Sequence, residues 1–253
     1  PLQDMTPQGM NAISTVRSVL GNGCIVIDDI KKLKGNLIKT QEILKQSKPV
    51  ALLFYPDILS KDTEDFKIQW TEPIREANKE QIKKFLEIFP KEIEGRRIVL
   101  YIGEEAARYD KISSLISEFA HMLKAPVIYS MNGVNAVSPA NAYAAGYIHF
   151  GFNDWTKNYW DSLSKHDVVL FLGFDNGEYE LNLGVIPADV WHFTNLDNPY
   201  GAKEGDFKHR VSGVYRQIKG DLELTLKELL SSLKGKIANR NEPEFHNNGI
   251  FGG

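Results

Sequence analysis

Short apolar segments alternate with stretches of helical periodicity along most of the chain. Between Arg97 and Gly173, apolar runs over 97–103, 125–130 and 166–173 predict three strands, of which the first and last end at a glycine. Between the first two runs, apolar residues recur with the 3.6-residue period of a helix that has one buried face. Strands without a polar face are buried on both sides, which is typical of a parallel sheet covered by helices. The pattern therefore predicts an α/β fold with a doubly wound parallel sheet.

The first part of the chain shows the same alternation on a smaller scale. The pattern predicts a helix over 7–20 that begins at Thr6-Pro7, a strand over 24–27, a second helix capped by Asp28-Asp29, and a strand over 49–55. An independent sheet usually needs three or more strands, so we interpret this part as the end of an α/β domain. The predicted organisation is a partial α/β domain over 1–57, a linker over 58–79, a central α/β domain over 80–235 and a linker or tail over 236–253.

The remaining elements frame the three central strands. A helix is predicted over 79–89, ending before Pro90. Loops and one helix, which begins at Asp154, are predicted for the glycine- and aromatic-rich part that follows the second strand. Strands are predicted over 189–196 and 210–218, and Asp221 is the predicted cap of a final helix whose leucines face the sheet.

Composition excludes several classes of protein. The chain has 253 residues and a net charge of −3, so it has no basic field for nucleic acid. Its apolar runs are far shorter than the ~20 residues of a membrane-spanning helix. The single cysteine, Cys24, fits a reducing compartment, so we expect the cytoplasm, and its apolar surroundings predict a buried strand residue. Because the chain begins at Pro1 and ends in a polar, glycine-rich segment, we expect a piece of a longer protein.

A series of proline-, glycine- and aspartate-containing segments occurs in an order that is characteristic of one enzyme family. These segments are Lys48-Pro49-Val50, Pro56-Asp57, Gly103, Pro126-Val127, Gly133, Gly146, Gly151, Asp167, Gly173, Leu196-Asp197 and Asp221-Leu222. In this order they resemble the thiamine-diphosphate-dependent enzymes of the acetolactate synthase and pyruvate decarboxylase superfamily. Lys48 departs from the family pattern, which has glycine there. The resemblance implies the end of a pyrimidine-binding domain followed by a central domain.

The same resemblance implies what the longer protein does and what this part contributes. Such enzymes use thiamine diphosphate and Mg²⁺ to cleave a carbon–carbon bond of a small 2-oxo acid, and they usually form homo-oligomers. The family's activating glutamate lies upstream of Pro1, and its Gly-Asp-Gly signature is absent. The nearest strings, Gly205-Asp206-Phe207 and Gly220-Asp221-Leu222, lack the second glycine. This part is therefore expected to be a scaffold without catalytic residues that does not hold the cofactor itself.

Some members of the superfamily bind FAD or ADP in the central domain, at the carboxyl ends of the strands. The residues that match such a site here are Gly103, Gly133, Gly146, Gly151, Gly173 and Asp197. The glycines at 133, 146 and 151 fit close approach to a ligand and simple turns equally well. Glu104 and Glu105 disfavour a nucleotide, because carboxylates repel phosphate and suit the first turn of a helix.

The other candidate residues have structural interpretations. His149 and His192 have no partner at metal-ligand spacing, so we predict structural histidines. Helical spacing of Trp155, Tyr159 and Trp160 favours a packing face. Two alternatives to the enzyme fragment stay open: a stand-alone, non-catalytic module that binds FAD, ADP or NAD, and one subunit of a split enzyme. For the first of these, Asp175, Asn176 and Glu178 could meet a ribose, although a solvated loop is the default interpretation.

Overall fold

The computed structural model describes residues 11–46, 48–63, 65–69, 74–148, 153–174, 185–196 and 210–243. The chain divides into two compact units, Pro1–Ile74 and Arg75–Gly253. The division falls inside the predicted linker over 58–79. Within the described ranges, no helix combines the length and the apolar character needed to cross a membrane.

The first unit contains a two-stranded parallel sheet and two helices. Its elements are α1 (Ala12–Leu20), β1 (Cys24–Ile27), α2 (Leu33–Leu44) and β2 (Ala51–Phe54). The side chain of Asn11 caps α1 by accepting a hydrogen bond from the Ser14 N–H. Thr6 and Pro7, the predicted start, lie outside the described residues. Cys24 is buried in β1, as predicted.

The second unit is a six-stranded parallel sheet with helices on its faces. Its elements are α3 (Lys79–Glu92), β3 (Ile98–Ile102), α4 (Ile112–Leu123), β4 (Val127–Tyr129), β5 (Ala144–Tyr147), α5 (Asp154–Asp161), β6 (Val168–Leu172), β7 (Asp189–Thr194), β8 (Tyr215–Lys219) and α6 (Leu222–Leu233). The strand order is β5-β4-β3-β6-β7-β8, and every neighbouring pair is parallel. The predicted α/β fold is confirmed.

The central strands are buried on both faces, as their continuous apolar sequences indicate. Because side chains alternate along a strand, Leu100 of β3 packs into the core beneath α3, α4 and α6, whereas Tyr101 packs on the other face against Trp160 of α5. The leucines of α6 are buried in the first of these cores, as predicted.

Three details of the predicted elements are wrong. The segment Ala144–Tyr147 forms a strand where we predicted loops and a helix, because Ala-Ala-Gly carries little intrinsic strand preference and packing decides its conformation. Helix α3 continues through Pro90 to Glu92. Glu92 holds this last turn in place by accepting hydrogen bonds from Trp191 and Arg216. The cap of α5 is Asn153 rather than Asp154.

Candidate functional site

The strand order of the second unit defines where a ligand of a parallel sheet is expected. From β3 the chain builds outward through β4 and β5, and it then returns to place β6 on the other side of β3. Ligands bind outside the carboxyl ends of the strands at such a point of reversal. Gly103 directly follows β3 and Gly173 directly follows β6, so these two predicted residues flank that point.

Backbone segments of the chain approach one another closely at this point. A Cβ atom at Gly103 would overlap with the carbonyl oxygen of Gly173, and one at Gly133 would overlap with the carbonyl oxygen of Ile102. Gly173 has a φ of +64°, and a Cβ there would lie 2.5 Å from the Ala106 nitrogen. All three glycines thus permit close contact between backbone segments. Of the other predicted residues, Gly146 lies in β5, against the side chain of Asn153. Gly151 and Asp197 are outside the described residues.

Glu105 is the residue at this edge whose hydrogen-bonding role the sequence did not reveal. It lies in a 3₁₀ turn, Glu104–Arg108, that follows β3, and its side chain is 4% exposed. Its N–H donates to the Gly173 carbonyl at 3.0 Å. Its carboxylate accepts a hydrogen bond from the Asn195 N–H at 2.7 Å and another from the Thr194 hydroxyl. The carboxylate therefore reaches from β3 across the end of β6 to the end of β7.

The buried carboxylate of Glu105 makes the carboxyl edge unfavourable for an anionic ligand. A phosphate entering there would meet a buried carboxylate that already takes the Asn195 N–H, and two buried like charges repel strongly. Glu104, by contrast, is exposed and pairs with Arg108 at 3.2 Å. Both residues lie at the start of a helical turn, as the sequence indicated, but only Glu105 is buried.

His192 is a satisfied structural histidine, as predicted. It is fully buried in β7, with Nε2 2.9 Å from the Phe174 carbonyl oxygen and Nδ1 2.9 Å from the Tyr215 hydroxyl. Since a carbonyl can only accept, Nε2 carries the proton and Nδ1 accepts from Tyr215. Burial lowers the pKa of His192 from 6.5 to about 4, so the ring is neutral at pH 7.

The remaining candidates divide into packing residues and residues outside the described ranges. Trp160 is buried against Tyr101, which agrees with the predicted packing face. Trp155 and Tyr159 stack on each other with ring centroids 4.9 Å apart, and both are half-buried. His149, Asp175, Asn176 and Glu178 fall outside the described ranges.

The described residues show no site for the metal ion that accompanies thiamine diphosphate. Among them, no group of three or more His, Cys, Asp or Glu side chains could hold a metal ion. Asp221, in the string closest to the family's metal signature, instead caps α6 through the Leu224 N–H and forms an ion pair with Arg75 at 2.7 Å. Gly205-Asp206 lies outside the described residues. No catalytic step is therefore assigned to side chains of this chain.

Comparison with known proteins finds a family match inside the second unit. Residues 93–196 match the sequence model of a family described as the central domain of thiamine pyrophosphate enzymes. No curated protein matches the chain.

Two solved structures share the fold. Benzoylformate decarboxylase from Polynucleobacter necessarius superposes with a TM-score of 0.57 at 16% identity, over 98% of this chain and 44% of that chain. A proposed thiamin diphosphate-dependent enzyme from Mycobacterium smegmatis has a TM-score of 0.56 at 15% identity, over 97% and 44% of the two chains. The chain thus spans less than half the length of either structure. Residues 93–196 of the chain therefore resemble the central domain of thiamine pyrophosphate enzymes.

Proposed function

We propose that this chain is the structural central part of a thiamine diphosphate-dependent 2-oxo acid enzyme of the decarboxylase or acetolactate synthase type. The family match over residues 93–196 carries the proposal. The fold shared with a benzoylformate decarboxylase supports it. A Mg²⁺ ion in the complete enzyme, assembly as a homo-oligomer and a cytoplasmic location belong to the same proposal.

In this proposal the chain positions other parts of the enzyme and leaves the chemistry to them. Thiamine diphosphate acts as the electron sink when a bond beside a carbonyl group is broken. Rigid α/β scaffolds hold sites that are formed elsewhere, and function is decided by those sites rather than by the scaffold. The two cores that sandwich the central strands supply such rigidity.

The alternative is a stand-alone module that binds FAD, ADP or NAD. The buried Glu105 argues against it, because its carboxylate lies over the strand ends where the phosphates of a nucleotide would need backbone N–H groups. We therefore interpret Gly103, Gly133 and Gly173 as packing glycines and not as a cradle for phosphate.

The proposal is tested by isolating the chain from its native cells through an affinity tag. The isolated assembly should release CO₂ from at least one 2-oxo acid of a panel containing pyruvate, 2-oxobutyrate and benzoylformate. Release should require both thiamine diphosphate and Mg²⁺. An assembly that is inactive on the whole panel, with an active enzyme of the family as the positive control, would contradict the proposal.

A further inference from the structure

A groove of about 910 Å³ lies at the amino ends of β3 and β4. This edge of the sheet is opposite to the carboxyl ends where Glu105 lies. We call it the amino-edge groove and define it by the residues that matter below: Arg97, Pro126, Trp155, Tyr159, Arg240 and Glu242. One wall is formed by α5 and the other by the segment 238–243, which follows α6.

The second wall is held in place by the chain itself. Arg240 donates hydrogen bonds to the carbonyl oxygens of Ile93, at 2.8 Å, and of Arg96. Glu242 accepts a hydrogen bond from the Tyr143 hydroxyl at 2.7 Å and forms an ion pair with Lys124. The groove is therefore formed before any ligand enters, as is usual for small-molecule sites.

The cations of the groove differ in how they are neutralised. Arg97 pairs with Asp167 at 2.8 Å, and Arg96 pairs with Asp189 at 2.7 Å. Arg240 has only the two carbonyl partners, and no carboxylate in the described part of the chain pairs with it.

Arg240 also has unused hydrogen-bonding capacity. Its Nε is buried without a hydrogen-bond partner among the described residues. Burial lowers the pKa of Arg240, but a guanidinium stays charged in proteins. A half-buried cation that no described carboxylate neutralises favours an anionic ligand. Glu94, a further carboxylate of the groove, is solvent-exposed.

The wall formed by α5 adds an aromatic surface. The rings of Trp155 and Tyr159 are stacked at an interplanar angle of 16°, and the Arg97 guanidinium lies 5.6 Å from the centroid of the Tyr159 ring. Aromatic rings of this kind favour a flat, apolar ligand body. We propose that the amino-edge groove binds a small aromatic carboxylate, with the carboxylate at Arg240 and the ring against Trp155 and Tyr159.

Calorimetric titration of the whole chain with benzoate tests this binding. A ligand of this size that makes one ion pair and one ring contact should bind with a dissociation constant of about 1 mM. Benzamide has the ring without the charge, and cyclohexanecarboxylate has the charge without the aromatic ring. Benzamide should bind roughly tenfold more weakly than benzoate, because it loses the charge-assisted hydrogen bond. Cyclohexanecarboxylate keeps that hydrogen bond and should bind severalfold more weakly, because it loses the contact between aromatic rings.

Two variants of the groove locate the binding. Arg240→Met should weaken benzoate binding by roughly tenfold or more. Arg240 also holds the segment 238–243, so Trp155→Leu provides a second variant that leaves those contacts unchanged, and it should weaken binding severalfold. Arg108→Met removes the same charge at an exposed site outside the groove and should leave the affinity unchanged.

Several results would overturn the proposal. One is the absence of saturable heat when the benzoate concentration is 20-fold above the expected dissociation constant of ~1 mM. The others are equal affinities for benzamide and benzoate, and unchanged benzoate affinity in both groove variants. The groove lies at the opposite edge of the sheet, so the two proposals are tested independently. A lack of benzoate binding would not contradict the proposed function, and an assembly that is inactive on 2-oxo acids would not contradict benzoate binding.

Discussion

At the scale of single residues, Glu105 decides what the carboxyl edge of the sheet can accept. A buried carboxylate is tolerated only when hydrogen bonds compensate for its lost hydration. Here the Asn195 N–H and the Thr194 hydroxyl supply them, 90 and 89 residues further along the chain. The side chain thus joins the turn after β3 to the end of β7, and at the same time it places a negative charge over the strand ends.

Replacing Glu105 should therefore destabilise the fold. Glu105→Ala leaves the buried Thr194 hydroxyl and the Asn195 N–H without their acceptor, and we expect the free energy of unfolding to fall by about 1–3 kcal/mol. Urea unfolding measures this loss. Glu104→Ala is the matched control. Because Glu104 is exposed, this substitution should lower the free energy of unfolding by no more than ~0.5 kcal/mol. Equal effects of the two variants would show that the hydrogen bonds of Glu105 do not stabilise the fold.

His192 predicts a pH dependence of stability. Its pKa in the folded state is about 4, below the usual 6.5, so folding favours the neutral ring. The contribution of the neutral His192 ring to the free energy of unfolding is fully present above pH 6.5 and is lost as the pH falls towards 4. The difference of about 2.5 pH units corresponds to roughly 3 kcal/mol.

The contribution of His192 can be isolated with a variant that does not titrate. Between pH 7 and pH 5, the wild-type chain should lose more unfolding free energy than His192→Gln, because carboxylates titrate in both proteins and cancel in the comparison. Urea unfolding at three pH values in this window measures the two slopes. Identical slopes would mean that His192 is accessible to protons in the folded state.

At the scale of elements, the closure of the crevice depends on glycines at turns. Gly173 and Gly95 both have left-handed backbone, with φ values of +64° and +69°. A Cβ at Gly95 would meet open space, whereas one at Gly173 would lie 2.5 Å from the Ala106 nitrogen and 2.9 Å from the Glu105 Cβ. A comparison of alanine variants at the two positions therefore separates the cost of backbone strain from the cost of steric overlap.

Alanine substitution at these two glycines should have different costs. Gly95→Ala should lower the free energy of unfolding by about 1–2 kcal/mol through backbone strain alone. Gly173→Ala carries the same strain and an overlap with the turn after β3, and we expect a further loss of about 1–3 kcal/mol. Thermal unfolding of the two variants gives the comparison. A Gly173→Ala variant as stable as Gly95→Ala would show that the turn shifts freely.

Most elements follow from the sequence, whereas the closure of the site does not. The strands β3, β4 and β6 are apolar on both faces, so their burial can be read from local sequence. The strand β5 contains Ala-Ala-Gly, whose conformation depends on its pairing with β4. Glu105 finds its partners at the end of β7, and no local pattern indicates a contact across that separation. The packing of Gly103 against Gly173 is likewise a tertiary contact.

At the scale of the whole molecule, residues 93–196 match the central domain of thiamine pyrophosphate enzymes, and the described residues show no group that could hold a metal ion. The purified chain should therefore release no CO₂ from pyruvate in the presence of thiamine diphosphate and Mg²⁺. A coupled assay measures the turnover, and a mock purification from cells that lack the chain controls for contaminating decarboxylase. Turnover well above that of mock-purified cell extract would mean that the chain holds the cofactor after all.

Calorimetric titration of the chain with ADP, FAD and NAD tests whether the carboxyl edge of the sheet excludes nucleotides. Close backbone packing at Gly103 and Gly173 and the buried carboxylate of Glu105 make that edge unfavourable for phosphate groups. We predict no heat beyond dilution for any of the three nucleotides. Saturable binding with a micromolar dissociation constant, weakened by a bulky substitution at Gly133, would contradict the claim and establish a working nucleotide site at that edge.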